Sequence, residues 1–235
     1  AHIWTPWFSA LGAKSGFDSI EECYGDLTEN IYAVETGLST NAPMNWMCSF
    51  LDKYVLLSNS DAHSPEKLGR NANIMDCELS YNGIINSMKI DNGANRFLGT
   101  IDMYPQEGKY HYDGHRKCNV VYDPVETLEH NGLCEKCGRK ITIGVMNRIV
   151  ELSDRNDLTE RPNRKPYHSI IPLKEILSEI SGVGPNTKTV KQYYNKILTD
   201  LGSELDILLN IPGDEIQSKA GSLLTEAIDR MRSEE

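Results

Sequence analysis

Apolar positions in the first sixty residues come in short, regularly spaced runs: one entering at Ile3, a second over Ile31–Val34 and a third over Tyr54–Leu57. Between them lie Phe17–Tyr24 and Asn45–Lys53, whose spacing is helical. This β-α-β-α-β rhythm predicts parallel strands joined by crossover helices. Asp18 and Ser19 stand where an N-cap belongs, and Glu21 and Glu22 fill the first turn, where the helix dipole favours negative charge. After Pro65 the pattern weakens into loop with one helix over Leu79–Met88. Phe97–Met103 and Tyr110–Tyr112 then flank Pro-Gln-Glu-Gly-Lys and read as a hairpin.

The periodicity changes at Asp113. From there to Ile143 the chain is rich in Cys, His and Gly, and the polar stretch Asp154–Pro166, with Pro162 inside it, reads as a linker. Three helices are expected beyond it: Leu173–Ile180, Thr187–Leu201 and Asp214–Arg232. The last carries Ile216, Ala220, Leu223, Leu224, Ala227, Ile228 and Met231 as one buried stripe. Gly182-Val183-Gly184, before a helix bearing Lys188, Lys191 and Lys196, reads as an interhelix turn, with a phosphate contact as the alternative. These breaks divide the chain into 1–108, a zinc-binding domain over 109–152, and a linker with helical C-terminal domain over 153–235.

Composition narrows the picture. The 235 residues carry a formal charge of −10, which argues against a simple polyanion binder, yet residues 109–196 hold 15 Lys and Arg against 11 Asp and Glu. No apolar run approaches the roughly 20 residues of a membrane span, so no membrane partner and a cytoplasmic location are expected. Six cysteines, three scattered and three clustered with a histidine, fit reduced thiols plus a metal site better than a disulfide framework. The opening Ala-His-Ile-Trp-Thr-Pro-Trp-Phe has no initiator methionine and begins within an apolar stretch, so a fragment is expected.

The cysteine cluster has the form H-x2-C, a 15-residue spacer, then C-x2-C: His115, Cys118, Cys134 and Cys137. A two-residue gap lets one tight turn supply both ligands of a pair, and three thiolates with one imidazole suit a tetrahedral Zn2+. A closed four-ligand set leaves no open position, which makes the zinc structural. His115 is the least secure ligand, because His111 and Asp113 lie close by.

A second group sits where apolar strands end. Asp61 and His63, in Ser58-Asn59-Ser60-Asp61-Ala62-His63, point the same way on an extended chain and can reach one metal from the mouth of a parallel sheet. His2 and Glu35 stand at the ends of two earlier strands. Such convergence is what a multi-metal phosphoesterase uses to clamp phosphate and activate water. Each also has a plain reading: a solvated loop for Asp61 and His63, a local ion pair for Glu35, a core histidine for His2. Trp4, Trp7 and Phe8 read first as core residues and second as residues that stack on or wedge beside a nucleic acid.

Together, His-Ile-Trp-Thr-Pro-Trp, Glu35-Thr36-Gly37, Ser60-Asp61-Ala62-His63 and Tyr112-Asp113-Gly114-His115-Arg116-x-Cys118 resemble motifs of the PHP (polymerase and histidinol phosphatase) superfamily, and within it the endonuclease Q family. The resemblance implies an α/β fold: the C-terminal part of a distorted (β/α) PHP barrel, then a small zinc-binding module and a helical tail. It implies a metal-dependent endonuclease that nicks DNA 5′ to deaminated bases (uracil, hypoxanthine, xanthine) and abasic sites. His2, Asp61 and His63 would hold catalytic divalent metals (Zn2+, Mg2+ or Mn2+), with Asp61 and His63 catalytic and Glu35 a ligand or its neighbour. Ser39 and Asn59 would line a pocket for an extruded base, a task suited to an amide that both donates and accepts. The family also takes a His-x-His and further ligands from earlier strands, which this sequence does not supply. The chain alone is therefore expected to cut DNA weakly, with a missing N-terminal PHP segment or a sliding clamp as partner. The alternatives are a non-catalytic DNA-binding module and a phosphoesterase for small esters.

Overall fold

The computed structural model describes residues 2–89, 93–160 and 164–234, leaving Ala1 and the linker's Pro162 outside the described residues. The chain divides into two compact units, Ala1–Tyr167 and His168–Glu235. The expected boundaries near 108 and 152 both fall inside the first unit.

In the first unit, helix α1 (Ile20–Tyr24) starts where Ser19 caps the Glu22 N–H and stops at Gly25, which takes a φ of 52°. Strand β1 (Ala33–Glu35) leads to helix α2 (Ala42–Trp46), capped by the Asn41 side chain at the Met44 N–H. This helix begins earlier and ends sooner than expected, because Asn41-Ala42-Pro43 supplies both a cap and a first-turn proline. Strand β2 (Val55–Leu57) lies parallel to β1, with Ala33 opposite Val55 and Glu35 opposite Leu57. His2 adds a parallel bridge to Glu35 on the other side. The core beneath joins Ile3, Trp4, Leu11, Ile20, Val34, Trp46, Leu51 and Leu56. Burying each large apolar side chain contributes about 1.5–3 kcal/mol.

The expected hairpin of Phe97–Met103 with Tyr110–Tyr112 does not form. Strand β3 (Ala72–Asp76), in a stretch read as loop, is followed by helix α3 (Tyr81–Ser87) and strand β4 (Arg96–Met103), and β3 pairs antiparallel with β4. Tyr110 and His111 instead accept through their carbonyls from the Val145 and Met146 N–H groups. Strand β3 was hidden because its flank and centre carry Asn71 and Asn73, which break the apolar alternation; Asn71 is nonetheless buried.

The cysteine region is built on strand β5 (Asp113–His115) paired antiparallel with β6 (Val120–Tyr122). Helix α4 (Pro124–Glu129) follows, opened by a reciprocal capping box between Asp123 and Glu126. A small core of Val120, Tyr122, Cys134 and Ile141 fills the module. Helix α5 (Val145–Leu152) then returns Val145 and Ile149 to the main core. The expected linker begins tied down, since Asp154 accepts from the Ser49 N–H at 2.8 Å and Arg155 pairs with Asp52.

The second unit is helical: α6 (Leu173–Ser181), α7 (Lys188–Leu201), α8 (Glu204–Leu209), α9 (Gly213–Ala220) and α10 (Ser222–Ser233). Two expectations are corrected here. The segment Asp214–Arg232 is two helices broken at Gly221, whose φ of 87° no helix interior accommodates. The stripe divides with it: Ile216, Leu224, Ile228 and Met231 are buried, whereas Leu223 is exposed. Helix α8, capped by Ser203, escaped notice because its six residues follow Gly202 too closely to show a period. No helix among the described residues is long and apolar enough to cross a membrane.

Candidate metal centres

His2 stands between two carboxylates. Its Nδ1 lies 3.7 Å from Glu35 Oε1 and its Nε2 lies 3.6 Å from Asp61 Oδ2. Both separations exceed hydrogen-bond length, and Nδ1 is buried with no hydrogen-bond partner. Each ring nitrogen thus faces a different carboxylate, Nδ1 toward Glu35 and Nε2 toward Asp61, and the three side chains offer donors of the kind a divalent cation takes.

Three strand ends supply these groups, and one buried network ties them together. Thr36 follows β1 and donates its N–H to the Leu57 carbonyl of β2 at 2.9 Å. The Thr40 hydroxyl donates back to the Thr36 carbonyl, and Asn45 Nδ2 donates to Thr40 Oγ1 at 3.0 Å and to the Asn41 carbonyl at 2.8 Å. Asn45 Oδ1 accepts the Trp4 indole N–H at 2.7 Å. This fully buried amide thus links the segment after His2 to the turn after Glu35. Sequence reading took Asn45 for a helix start, and nothing local distinguishes it.

Asp61 adopts a φ of 45°, a strained conformation that Asp tolerates better than most residues. The Arg70 Nε–H braces this turn by donating to the Ser60 carbonyl at 2.8 Å. His63 is exposed and turns back, with Nδ1 2.9 Å from the Asp61 carbonyl. A carbonyl only accepts, so Nδ1 carries the proton and a neutral ring keeps its lone pair on Nε2, as a metal-ligating histidine requires.

Ser39 and Asn59 sit apart from each other in character. Ser39 is buried, its carbonyl engaged by the Nδ1–H of buried His111 at 3.0 Å. Burial holds the His111 imidazole below its ordinary range, only partly offset by this bond. Asn59 is exposed, its Oδ1 accepting from Asn73 Nδ2 at 3.0 Å. Behind it the Ser58 N–H donates to Asn73 Oδ1, and the Ser58 hydroxyl accepts from Asn71 Nδ2 at 2.8 Å.

Continuing the β3–β4 register places Asn71 opposite Asp102, and the Oδ1 atoms of both are buried without partners. Burial pushes the Asp102 carboxyl above the carboxylate range, against the hydrogen bonds of Thr100 and Ser58. No sequence signal marks this pair, because a buried Asp in a strand reads as an outward-facing one.

The second centre is compact. One ligand atom from each of His115, Cys118, Cys134 and Cys137 lies within 4.8 Å of all the others. Tetrahedral bonds of roughly 2.1–2.3 Å require edges of roughly 3.5–3.8 Å, so the four could hold one ion with a small closing of the group. Among the described residues this is the group with such compactness. The turn forms because the Gly138 N–H and Cys137 N–H both donate to the Cys134 carbonyl, with Gly138 at a φ of 67°. The thiols differ: the bond with Cys137 pushes Cys118 up to about 11, while the Arg139 N–H lowers Cys137. His111 and Asp113, the alternative ligands, are used elsewhere. Asp113 accepts from Thr127, the Gly144 N–H and Asn147. His130 takes no part in this group and stacks on Tyr122 at 4.6 Å.

Comparison with solved structures places this geometry. The chain superposes along 100% of its length, with a TM-score of 0.86 and 32% identity, on the lesion-specific endonuclease PfuEndoQ from Pyrococcus furiosus. Over its whole length the chain matches endonuclease Q. A second endonuclease Q structure, a complex with a 27-mer duplex substrate bearing an abasic lesion at the active site, matches with a TM-score of 0.87 and 32% identity. The chain spans 57% and 58% of these two endonuclease Q chains.

Protein MJ0043 of Methanocaldococcus jannaschii is 36% identical over 98% of this chain, and YqxK of Bacillus subtilis is 32% identical over 88%. The chain spans 29% and 49% of their respective lengths. The family model described as the MJ0043 C-terminal domain matches residues 172–235, which cover the five helices of the second unit.

Proposed function

We propose that the chain acts as part of a metal-dependent DNA-repair endonuclease that nicks DNA 5′ to deaminated bases and abasic sites. The observation that carries this reading is the placing of His2 between Glu35 and Asp61 in a chain that superposes throughout on a lesion-specific endonuclease. In this reading the first unit is the C-terminal part of a PHP barrel. His2, Glu35, Asp61 and His63 hold divalent cations at its strand ends, where bound ions supply an activated water and neutralise charge on the scissile phosphate. Asn59 and the Ser39 turn receive the extruded base. His115, Cys118, Cys134 and Cys137 hold a structural Zn2+ that fixes the β5–β6 module.

Duplex DNA carrying one uracil, hypoxanthine or abasic site, incubated with Mg2+, Mn2+ or Zn2+, tests this. Nicking 5′ to the lesion that vanishes in Asp61→Ala supports the reading. Binding without nicking in any metal favours a DNA-holding module, and cleavage of small phosphate esters without DNA nicking favours a small-ester phosphoesterase.

A further inference from the structure

The segment after His2 is a closed loop with an aromatic tip. Its ends meet where the Leu11 N–H donates to the Ile3 carbonyl at 2.8 Å, and the Lys14 N–H donates to the Pro6 carbonyl at 3.1 Å. Across its middle the Ser9 hydroxyl donates to the Thr5 carbonyl at 2.6 Å, while Gly12 lies too close to that carbonyl to bear a side chain. Trp4, Pro6 and Leu11 face inward and are buried. This is a rigid platform.

Two aromatic residues face out of it. Trp7 is 40% exposed and Phe8 is fully exposed. Phe8 also holds a φ of 59°, and of the described non-glycine residues with positive φ it alone is aromatic. A bulky residue pays backbone strain there, and full exposure returns no packing in exchange. Strain of this kind collects at functional sites.

The surroundings indicate what the tip meets. Trp7 packs edge-on against Tyr110 at 5.8 Å, Lys14 Nζ lies 6.0 Å from the Trp7 ring and Lys109 Nζ lies 5.0 Å from the Tyr110 ring. Both lysines are exposed, and among the described residues neither has a carboxylate partner. Aromatic faces interleaved with free ammonium groups suit a nucleic-acid strand, whose bases stack and whose phosphates carry charge. The patch also adjoins the candidate centre in the chain: the loop leaves from His2, and Tyr110 precedes the His111 that holds Ser39.

We propose that Phe8 is a wedge that enters the base stack of duplex DNA at a lesion and fills the space an extruded nucleotide leaves, while Trp7, Tyr110, Lys14 and Lys109 bear on the flanking strand. Insertion of an apolar side chain between base steps offsets part of the cost of unstacking. This rests on the DNA-lesion reading of the neighbouring metal centre.

The test uses the full chain and a duplex with a central abasic analogue flanked by 2-aminopurine, whose fluorescence rises on unstacking. The wild type is expected to bind and raise the fluorescence severalfold. Phe8→Ala and Phe8→Gly are expected to bind within a few fold of wild type yet lose that rise; glycine is at home at this φ, which removes strain as an explanation. A rise in both variants equal to wild type, or binding by wild type with no rise, overturns the wedge alone. A wild-type chain that binds no lesion duplex overturns the DNA reading and the wedge with it.

Discussion

Gly37 stands so close to His2 that a β-carbon on it would lie 2.5 Å from the ring Nδ1, and its φ of 88° already excludes most other residues. The glycine therefore sets where the imidazole sits. Gly37→Ala is expected to cost about 1–3 kcal/mol in stability, from positive φ and displacement of the ring. Metal-dependent nicking should fall more steeply than chemical denaturation accounts for. Nicking that is retained while stability drops would show that His2 need not occupy this position.

Asn45 is fully buried and uses both ends of its amide. Asn45→Leu strands the Trp4 indole N–H, left unsatisfied at about 1–3 kcal/mol, and removes the donor to the Thr40 hydroxyl, which keeps its own bond to the Thr36 carbonyl. Urea denaturation should register a loss of that order. Trp4→Phe in the same background should recover part of it, because it removes one orphaned donor.

Asp102 makes stability depend on pH. Burial raises its pKa in the folded chain above the ordinary 3.8, so the folded state keeps a proton that the unfolded state releases. The resulting stabilisation is complete below the unfolded value and is lost as pH climbs through the folded one. Asp102→Asn, which keeps the shape and supplies a donor toward Asn71, should flatten that part of the denaturation-versus-pH curve. Curves that remain parallel across the window would refute a buried neutral carboxyl.

Removing the zinc proposed for the cysteine centre should unfold one module. Chelation, or Cys134→Ser, is expected to release one zinc per chain and to expose Val120, Tyr122 and Ile141 to hydrogen exchange, with the His2 region less affected. Metal analysis together with exchange mass spectrometry reads both. A Cys134→Ser chain that keeps its zinc would remove this residue from the ligand set.

The cysteine pairs were legible because their signal is local: two short gaps and a spacer fix the ligand geometry whatever surrounds them. The parallel pairing of Ala33–Glu35 with Val55–Leu57 was legible from spacing. Strand Ala72–Asp76 was not, since Asn71 and Asn73 satisfy one another's neighbours inside the fold and look like surface residues in the sequence. Phe8 was read as core because apolar residues usually are, and its exposure depends on a loop closure at Ile3 and Leu11 that no local pattern announces. Gly221 falls inside the single helix expected over Asp214–Arg232, although its φ ends one helix and begins another.

The two centres also differ in how far apart along the chain their members lie. His115 and Cys137 are 22 positions apart, whereas His2 and Asp61 are separated by 59 and meet only after β1, α2 and β2 have docked. Closing a short loop costs less chain entropy and happens sooner. The cysteine module is thus equipped to take up its ion while much of the chain is still unfolded. A cation at the proposed His2 group would find its donors together only once those elements have docked, so its loading is expected to report a later stage of folding.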